Sequence, residues 1–274
     1  MKKFALAGLA ILVIGVLGTI FNWNQLIGRS RIDTVERSIE VENKEIDAID
    51  IKSDLAEVYF FPTDEETIQV DVRGKSNKSI DELLEVKESG DRLLITVDHK
   101  SRFFKVNIFP FWNHHNLTVR IGIPESFNGS IEALVDVGKI RINDLALDQF
   151  TGVINVGDLE GQNVVLTSGS VEVDVGEIDL IDAAGDWYLS ADVGKINLDL
   201  IEWQGNVEAY VDVGNIKIRI PEEPEFYSLR LEAELGDVKG VDDPIVEIRS
   251  TSEKEIPRLN ASTDIGDITL NWGR

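Results

Sequence analysis

The sequence predicts an all-β protein, a β-solenoid of stacked coils of about 18–22 residues preceded by one N-terminal transmembrane helix. Three observations predict it. A phrase of the form Asp-Val-Gly-x-Ile recurs through the second half of the chain, the residues between its copies alternate apolar and polar, and the chain opens on an uncharged apolar run. A repeat near 20 residues marks small units that hide their apolar faces by stacking on one another.

The apolar run comes first. Lys2-Lys3 precede Phe4 to Phe21, about 18 residues with one hydroxyl and no charge. As a helix this run covers roughly 27 Å, near the hydrocarbon thickness of a bilayer. Trp23 follows where an interfacial aromatic belongs, and the two lysines favour a cytoplasmic N-terminus. A cleaved signal peptide is the competing reading, with Val16-x-Gly18 as its cleavage candidate, and it exports the rest of the chain equally. The expected organisation is a transmembrane anchor over 1–22, a juxtamembrane linker over 23–45 and a solenoid domain over 46–274. The expectation is a single-pass cell-membrane protein with its N-terminus cytoplasmic and its C-terminal domain extracytoplasmic.

The solenoid is expected to begin near residue 46, because Ser53-Asp54-Leu55-Ala56-Glu57-Val58-Tyr59-Phe60 matches the phrase with alanine in the glycine place. Residues 62–118 then read as hairpin-like insertions or an N-terminal cap, with strands at Ile68–Val72, Leu93–Val97 and Leu117–Ile123. An antiparallel sandwich is the rival arrangement for residues 33–128. Ser79–Lys87 is the one short stretch with helical spacing, helped by acids in its first turn.

The repeat proper follows. Its glycines fall at 138, 157, 176, 194, 214, 236 and 266, at intervals of 19, 19, 18, 20, 22 and 30. Ile131, Ala133, Val135 and Val137 are expected to point inward, as are Ala191 with Val193 and Val211 with Val213, while Glu132 and Asp136 point out. From Val137 to Ile140 the step is odd, so the chain must turn a corner at Gly138-Lys139, and glycine tolerates the angles required. A second glycine nine residues upstream, at Gly129, Gly185 and Gly205, marks another corner.

Composition narrows function. The chain has 27 Lys+Arg against 50 Asp+Glu, and only Lys2, Lys3, Arg29 and Arg31 of those bases lie before the first acid. So acidic a surface repels phosphate backbones, which excludes a nucleic-acid binder. Without cysteine there is no disulfide, iron–sulfur cluster or thiolate nucleophile, and three histidines leave little for imidazole chemistry. No serine-hydrolase elbow, phosphate-cradling loop or metallohydrolase motif is present.

The strand Leu117-Thr118-Val119-Arg120-Ile121-Gly122-Ile123-Pro124, then Gly129-Ser130-Ile131, then the Asp-Val-Gly-x-Ile ladder resemble the bacterial putative-adhesin family of unknown function, which includes the LiaG-like membrane-anchored proteins. The resemblance covers most of 46–274. It implies a β-solenoid held outside the cytoplasmic membrane, in proteins often linked to envelope-stress systems, and it carries no catalytic residues. The segment around Phe103–His115 departs from the family pattern.

Two binding surfaces suggest themselves. Asp136, Asn155, Asp174, Asp192, Asp212, Glu234 and Asp264 share one repeat position, so stacking aligns them in a column. Neighbouring charges about 5 Å apart repel by about 1 kcal/mol even in bulk water. Such a column either binds a cation or cationic ligand, is a solvated outer face, or satisfies the backbone of the next corner. The second surface is the aromatic, basic stretch containing Phe103, Phe104, Phe111 and Trp112, which reads as a membrane-facing or ligand-binding tip or as the cap of the solenoid's open end. The adjacent His114 and His115 point to opposite faces of an extended chain, which disfavours a metal site. No catalytic, cofactor or metal residue is assigned, and no cofactor is expected. The function that fits is a non-enzymatic adhesin, scaffold or binding module of the bacterial envelope, with an envelope protein or cell-wall ligand as partner. The alternative is a glycan-active β-helix enzyme.

Overall fold

Valine, isoleucine and leucine at alternate positions suit a pleated surface with one face buried, and a chain that presents them coil after coil can hide them only by stacking. The structure, a computed structural model, describes residues 33–76, 78–97, 116–247 and 256–273. Most of these are strand: β1 Asp33–Glu42, β2 Ala48–Thr63, β3 Thr67–Ser76, β4 Leu84–Ser89, β5 Arg92–Val97, β6 Asn116–Pro124, β7 Ser130–Leu200, β8 Asn206–Ile220, β9 Ser228–Leu235, β10 Val238–Lys239, β11 Ile245–Glu247, β12 Arg258–Ile265 and β13 Ile268–Trp272. No helix among the described residues is long and apolar enough to cross a membrane, and the expected anchor lies outside them.

The fold is all-β and solenoid-like. β2 pairs in parallel with the start of β7, setting Ile49 against Ile131, Ala56 against Gly138 and Phe60 against Ile142. The long β7 then passes the corners at Gly138, Gly157, Gly176 and Gly194 and hands over in parallel register to β8, Gly194 against Gly214. Ile51, Ala133, Ile154, Leu189 and Ile218 are among the fully buried side chains of the core that runs down the stack. Phe60 and Phe150, both buried within it, meet edge to face at 6.2 Å.

The glycines close on each other. A Cβ on Gly157 would sit 1.7 Å from the Gly138 carbonyl oxygen, one on Gly176 1.7 Å from that of Gly157, and one on Gly194 1.6 Å from that of Gly176. Gly138, Gly157 and Gly176 also hold φ of +149°, +141° and +151°, which L side chains avoid. A corner the sequence reading missed lies six residues on, where Asp144, Asn163 and Asp182 all take φ near +55° and Asn163 Nδ2 donates to Asp144 Oδ1 at 3.0 Å. Asp and Asn are the residues that tolerate this left-handed geometry.

Four features differ from expectation. Val137, Val193 and Val213 are exposed, because the alternation slips one residue before the glycine and both residues of the Asp-Val pair face solvent. Helix forms only over Ile80–Leu83, a single turn named α1, and Leu84–Ser89 is strand β4, drawn into an antiparallel pair with β5. β5 and β6 together make one more layer beside β2, Leu93 against Ile49 and Val119 against Val58, and the antiparallel strands β3 and β4 cover it. An antiparallel sandwich over residues 33–128 is thereby replaced by a parallel layer with an antiparallel cover.

At the other end, the layers do not follow chain order. β12 lies between β8 and β9, pairing in parallel with both: Ala261 meets Ala209 on one side and Leu231 on the other. β13 likewise joins Ile268 to Ile216 and to Val238 of β10. β9 precedes in sequence the layer it rests on, and β11 closes the end of the sheet against it antiparallel.

Candidate functional site

The corner at each repeat glycine sets four residues in four columns. Stacking them by register gives the order Ala56, Gly138, Gly157, Gly176, Gly194, Gly214, Gly266, Gly236. Two residues before the glycine stand the expected acids, now ordered Asp136, Asn155, Asp174, Asp192, Asp212, Asp264, Glu234, and all are exposed. Asn155 Nδ2 donates to Asp136 Oδ1 at 3.3 Å, a direct link between neighbouring coils. No base among the described residues pairs with Asp174, Asp192, Asp212, Asp264 or Glu234.

One residue before the glycine is an aliphatic ladder, absent from the sequence reading. Val137, Val156, Val175, Val193 and Val213 are 44–49% exposed, Ile265 50% and Leu235 68%. The odd step from valine to the next isoleucine was its only sequence signal.

One residue after the glycine, side chains serve the backbone. Asp158 Oδ1 accepts from the Glu177 N–H at 3.2 Å, Asn215 Oδ1 from the Asp267 N–H at 2.8 Å and Asp267 Oδ1 from the Asp237 N–H at 2.9 Å. The bases gather on this flank. Lys139 meets Asp158 and Glu160, Arg141 meets Glu160, Lys195 meets Glu177 and Lys239 meets Asp267. Lys139 foremost, with Arg141, holds the Glu160 carboxyl below the usual carboxylate range. Corner capping, offered above as one role for the acid column, thus belongs to a different column. The acids before the glycine stand free of it.

The aromatic stretch with Phe103, Phe104, Phe111 and Trp112 lies outside the described residues, as do His114 and His115. Its flanks are fixed. Val97 pairs with Ser53 and Thr118 with Glu57, so the segment leaves and rejoins the sheet where Asp54-Leu55-Ala56 makes the corner in β2.

Other features are less suited to ligand chemistry. A cleft of about 940 Å³ is rimmed by Asp47, Asp64, Glu65, Glu66, Glu125 and Asp148 over buried Phe127. No cluster of three or more His, Asp or Glu among the described residues could hold a metal ion. Asp179 has its carboxyl pushed up, first by burial and then by Glu160 and Asp199 on neighbouring coils, yet it does not line that cleft. A raised carboxyl destabilises the fold wherever it is ionised, so this penalty is full above the folded pKa and vanishes below the unfolded value near 4. Asp179→Asn is expected to stabilise by about 0.5–1 kcal/mol at pH 7, discounted for partial exposure, and by nothing near pH 3. Urea melts at the two pH values check this, and equal effects at both would contradict it.

The model of the family described as Toastrack DUF4097 matches residues 46–271. The chain belongs to this family. The Toastrack match spans the whole run of coils, from the strand holding Ala56 to the last strand β13, and it agrees with the adhesin-like resemblance seen in the repeat. Among solved structures, the chain is similar to a putative adhesin from Bacteroides fragilis NCTC 9343, at 18% identity over 87% of this chain and 97% of that one, TM-score 0.46. It is also similar to a putative cell adhesion protein from Clostridium sporogenes ATCC 15579, at 13% identity over 88% and 100%, TM-score 0.38. A putative lipid binding protein from Parabacteroides distasonis ATCC 8503 gives 14% identity over 88% and 97%, TM-score 0.32. Nothing matches among curated proteins.

Proposed function

We propose that this Toastrack protein is a β-solenoid held outside the bacterial cytoplasmic membrane by its N-terminal run, where it acts as an adhesin-like binding or scaffold module and not as an enzyme. The observation that carries this reading is the corner column of Asp174, Asp192, Asp212, Asp264 and Glu234. The fold does not need these acids for its ion pairs or corner caps, and aligning them costs repulsion. Side chains kept at a cost on a long flat face are what a binding surface needs, whereas catalysis needs a cleft with converging groups. Linkage to envelope-stress signalling is part of the same proposal.

Photo-crosslinking in intact cells tests it. A crosslinker in place of Asp192 is expected to give a discrete adduct with an envelope protein or wall polymer, while one at exposed Ser168 on another face gives none. Added protease should reach the coils from outside the cell. Absence of an adduct, together with cleavage of wall polysaccharide by the purified full chain that is lost in Asp→Asn variants, overturns the reading in favour of a glycan-active enzyme.

A further inference from the structure

Twelve large hydrophobic side chains are exposed among the described residues, and seven of them stand in the single row of the aliphatic ladder. Scattered surface aliphatics need no explanation, but a continuous row does. Strand propensity does not supply one, since the equally exposed position one residue earlier carries Asp, Asn or Glu in the same coils. The row is uncovered by any other described part of the chain and is flanked from Val175 onward by acids that pair with no described base.

We propose that the ladder is the docking face for a cationic amphipathic helix of a partner protein. The proposal rests on the binding reading above and names the partner's chemistry. Coils repeat about every 4.8 Å, so the seven residues span roughly 29 Å, the length of a helix of about 19 residues. A helix presents an apolar stripe with a pitch of about 5.4 Å, so its side chains slip against the ladder by only about 0.6 Å per coil and keep register over three or four coils. An extended strand laid along the same axis repeats its side chains on one face about every 6.8 Å and loses register after two coils. The acid column selects the charge. A helix with lysines or arginines along one border of its stripe meets Asp174, Asp192 and Asp212, whereas a second copy of this chain or an anionic lipid surface meets like charge.

The chain has no cysteine, so a single Val193→Cys in the full-length protein takes one environment-sensitive fluorophore at the middle of the ladder. The protein is held in phosphatidylcholine nanodiscs, and signal from empty discs is subtracted. The probe is a 20-residue peptide with leucines at i, i+3, i+4 and i+7 bordered by lysines. It is expected to shift the fluorescence at Val193→Cys but not at a Ser168→Cys control, and to bind at least about tenfold more tightly than the same residues in scrambled order. In unlabelled protein, joint Val156→Ser, Val175→Ser and Val213→Ser changes should weaken binding about tenfold while the fold still melts cooperatively at a modestly lower temperature, since these side chains are half-exposed and outside the core. Asp174→Asn with Asp192→Asn and Asp212→Asn should weaken it about fivefold and flatten its dependence on salt.

Equal binding of the ordered and scrambled peptides overturns the proposal. So does binding indifferent to the serine changes, ladder-dependent attachment to phosphatidylglycerol vesicles without peptide binding, or a ladder-dependent dimer. Peptide affinity that rises on removal of residues 98–115 assigns the ladder to the chain's own segment and overturns it as well. If corner crosslinks form in cells while the peptide fails to bind, the helix falls and the binding module stands.

Discussion

Replacing Gly176 by valine is expected to cost roughly 4 kcal/mol or more, lowering the melting temperature by on the order of 10 °C. Two penalties coincide. The backbone at Gly176 holds φ +151°, where a β-branched side chain is strained, and its Cβ would lie 1.7 Å from the carbonyl oxygen of Gly157. That oxygen is main chain in the neighbouring coil and cannot swing aside as a side chain would. Relief requires the two coils to part, which breaks the parallel hydrogen bonds on both sides of the corner and opens the core beside Val173 and Ile178. Gly90 provides the contrast: φ is +66°, nothing lies within 4 Å of its Cβ, and Gly90→Ala should cost only about 1 kcal/mol. Urea titration of both variants decides the point, and similar midpoints would mean that the corner glycines do not set the stacking distance.

Deleting residues 256–274 is expected to do more damage than trimming an end. In a stack laid down in chain order, the last coil could be lost with little harm to the others. Here β12 and β13 lie inside the stack, and their removal takes away the fully buried Leu259, Ile268 and Leu270, each worth about 2–3 kcal/mol. β9 and β10 lose their parallel support, and β8 presents an open edge. Limited proteolysis of the truncated chain should therefore digest it back to around Leu200, while the coils through Gly194 stay protected. A truncated chain resistant as far as residue 247, with an unchanged melting curve, would contradict the interior placement of β12.

The repeat made much of this legible. Glycine at a nearly regular interval located one corner in each coil, and the matching phrase located its alanine counterpart at Ala56, because a main-chain contact forbids a larger side chain regardless of the residues around it, whereas the corner at Asp144, Asn163 and Asp182 carries no glycine to mark it. Alternation found the buried side chains between corners. It could not say where the phase slips, since a slip before or after the valine leaves the same residues apolar, and so the ladder at Val137, Val193 and Val213 was assigned to the wrong side. The layer order at the C-terminal end was hidden for another reason. Gly236 and Gly266 carry nearly the same local phrase, and which of them abuts Gly214 is decided by contacts far apart in sequence. The uneven intervals of 22 and 30 were the one trace of it. The acid column was readable from the repeat because stacking turns sequence periodicity into spatial adjacency. The freedom of those acids from corner duty was not readable, since Asp158 and Asn215, a few residues on, are equally polar.

Both ends of the stack rest on strands that arrive out of turn, with β5 and β6 behind β2 and β12 between β8 and β9. Growth by tandem duplication is therefore confined to the middle of the gene. A copied stretch of about 19 residues between Gly138 and Gly194 inserts one more turn like those on either side, whereas a copy placed beyond Ile220 meets a neighbour it was not shaped for. Relatives of different length should differ by whole turns there, with their two extremities left alone.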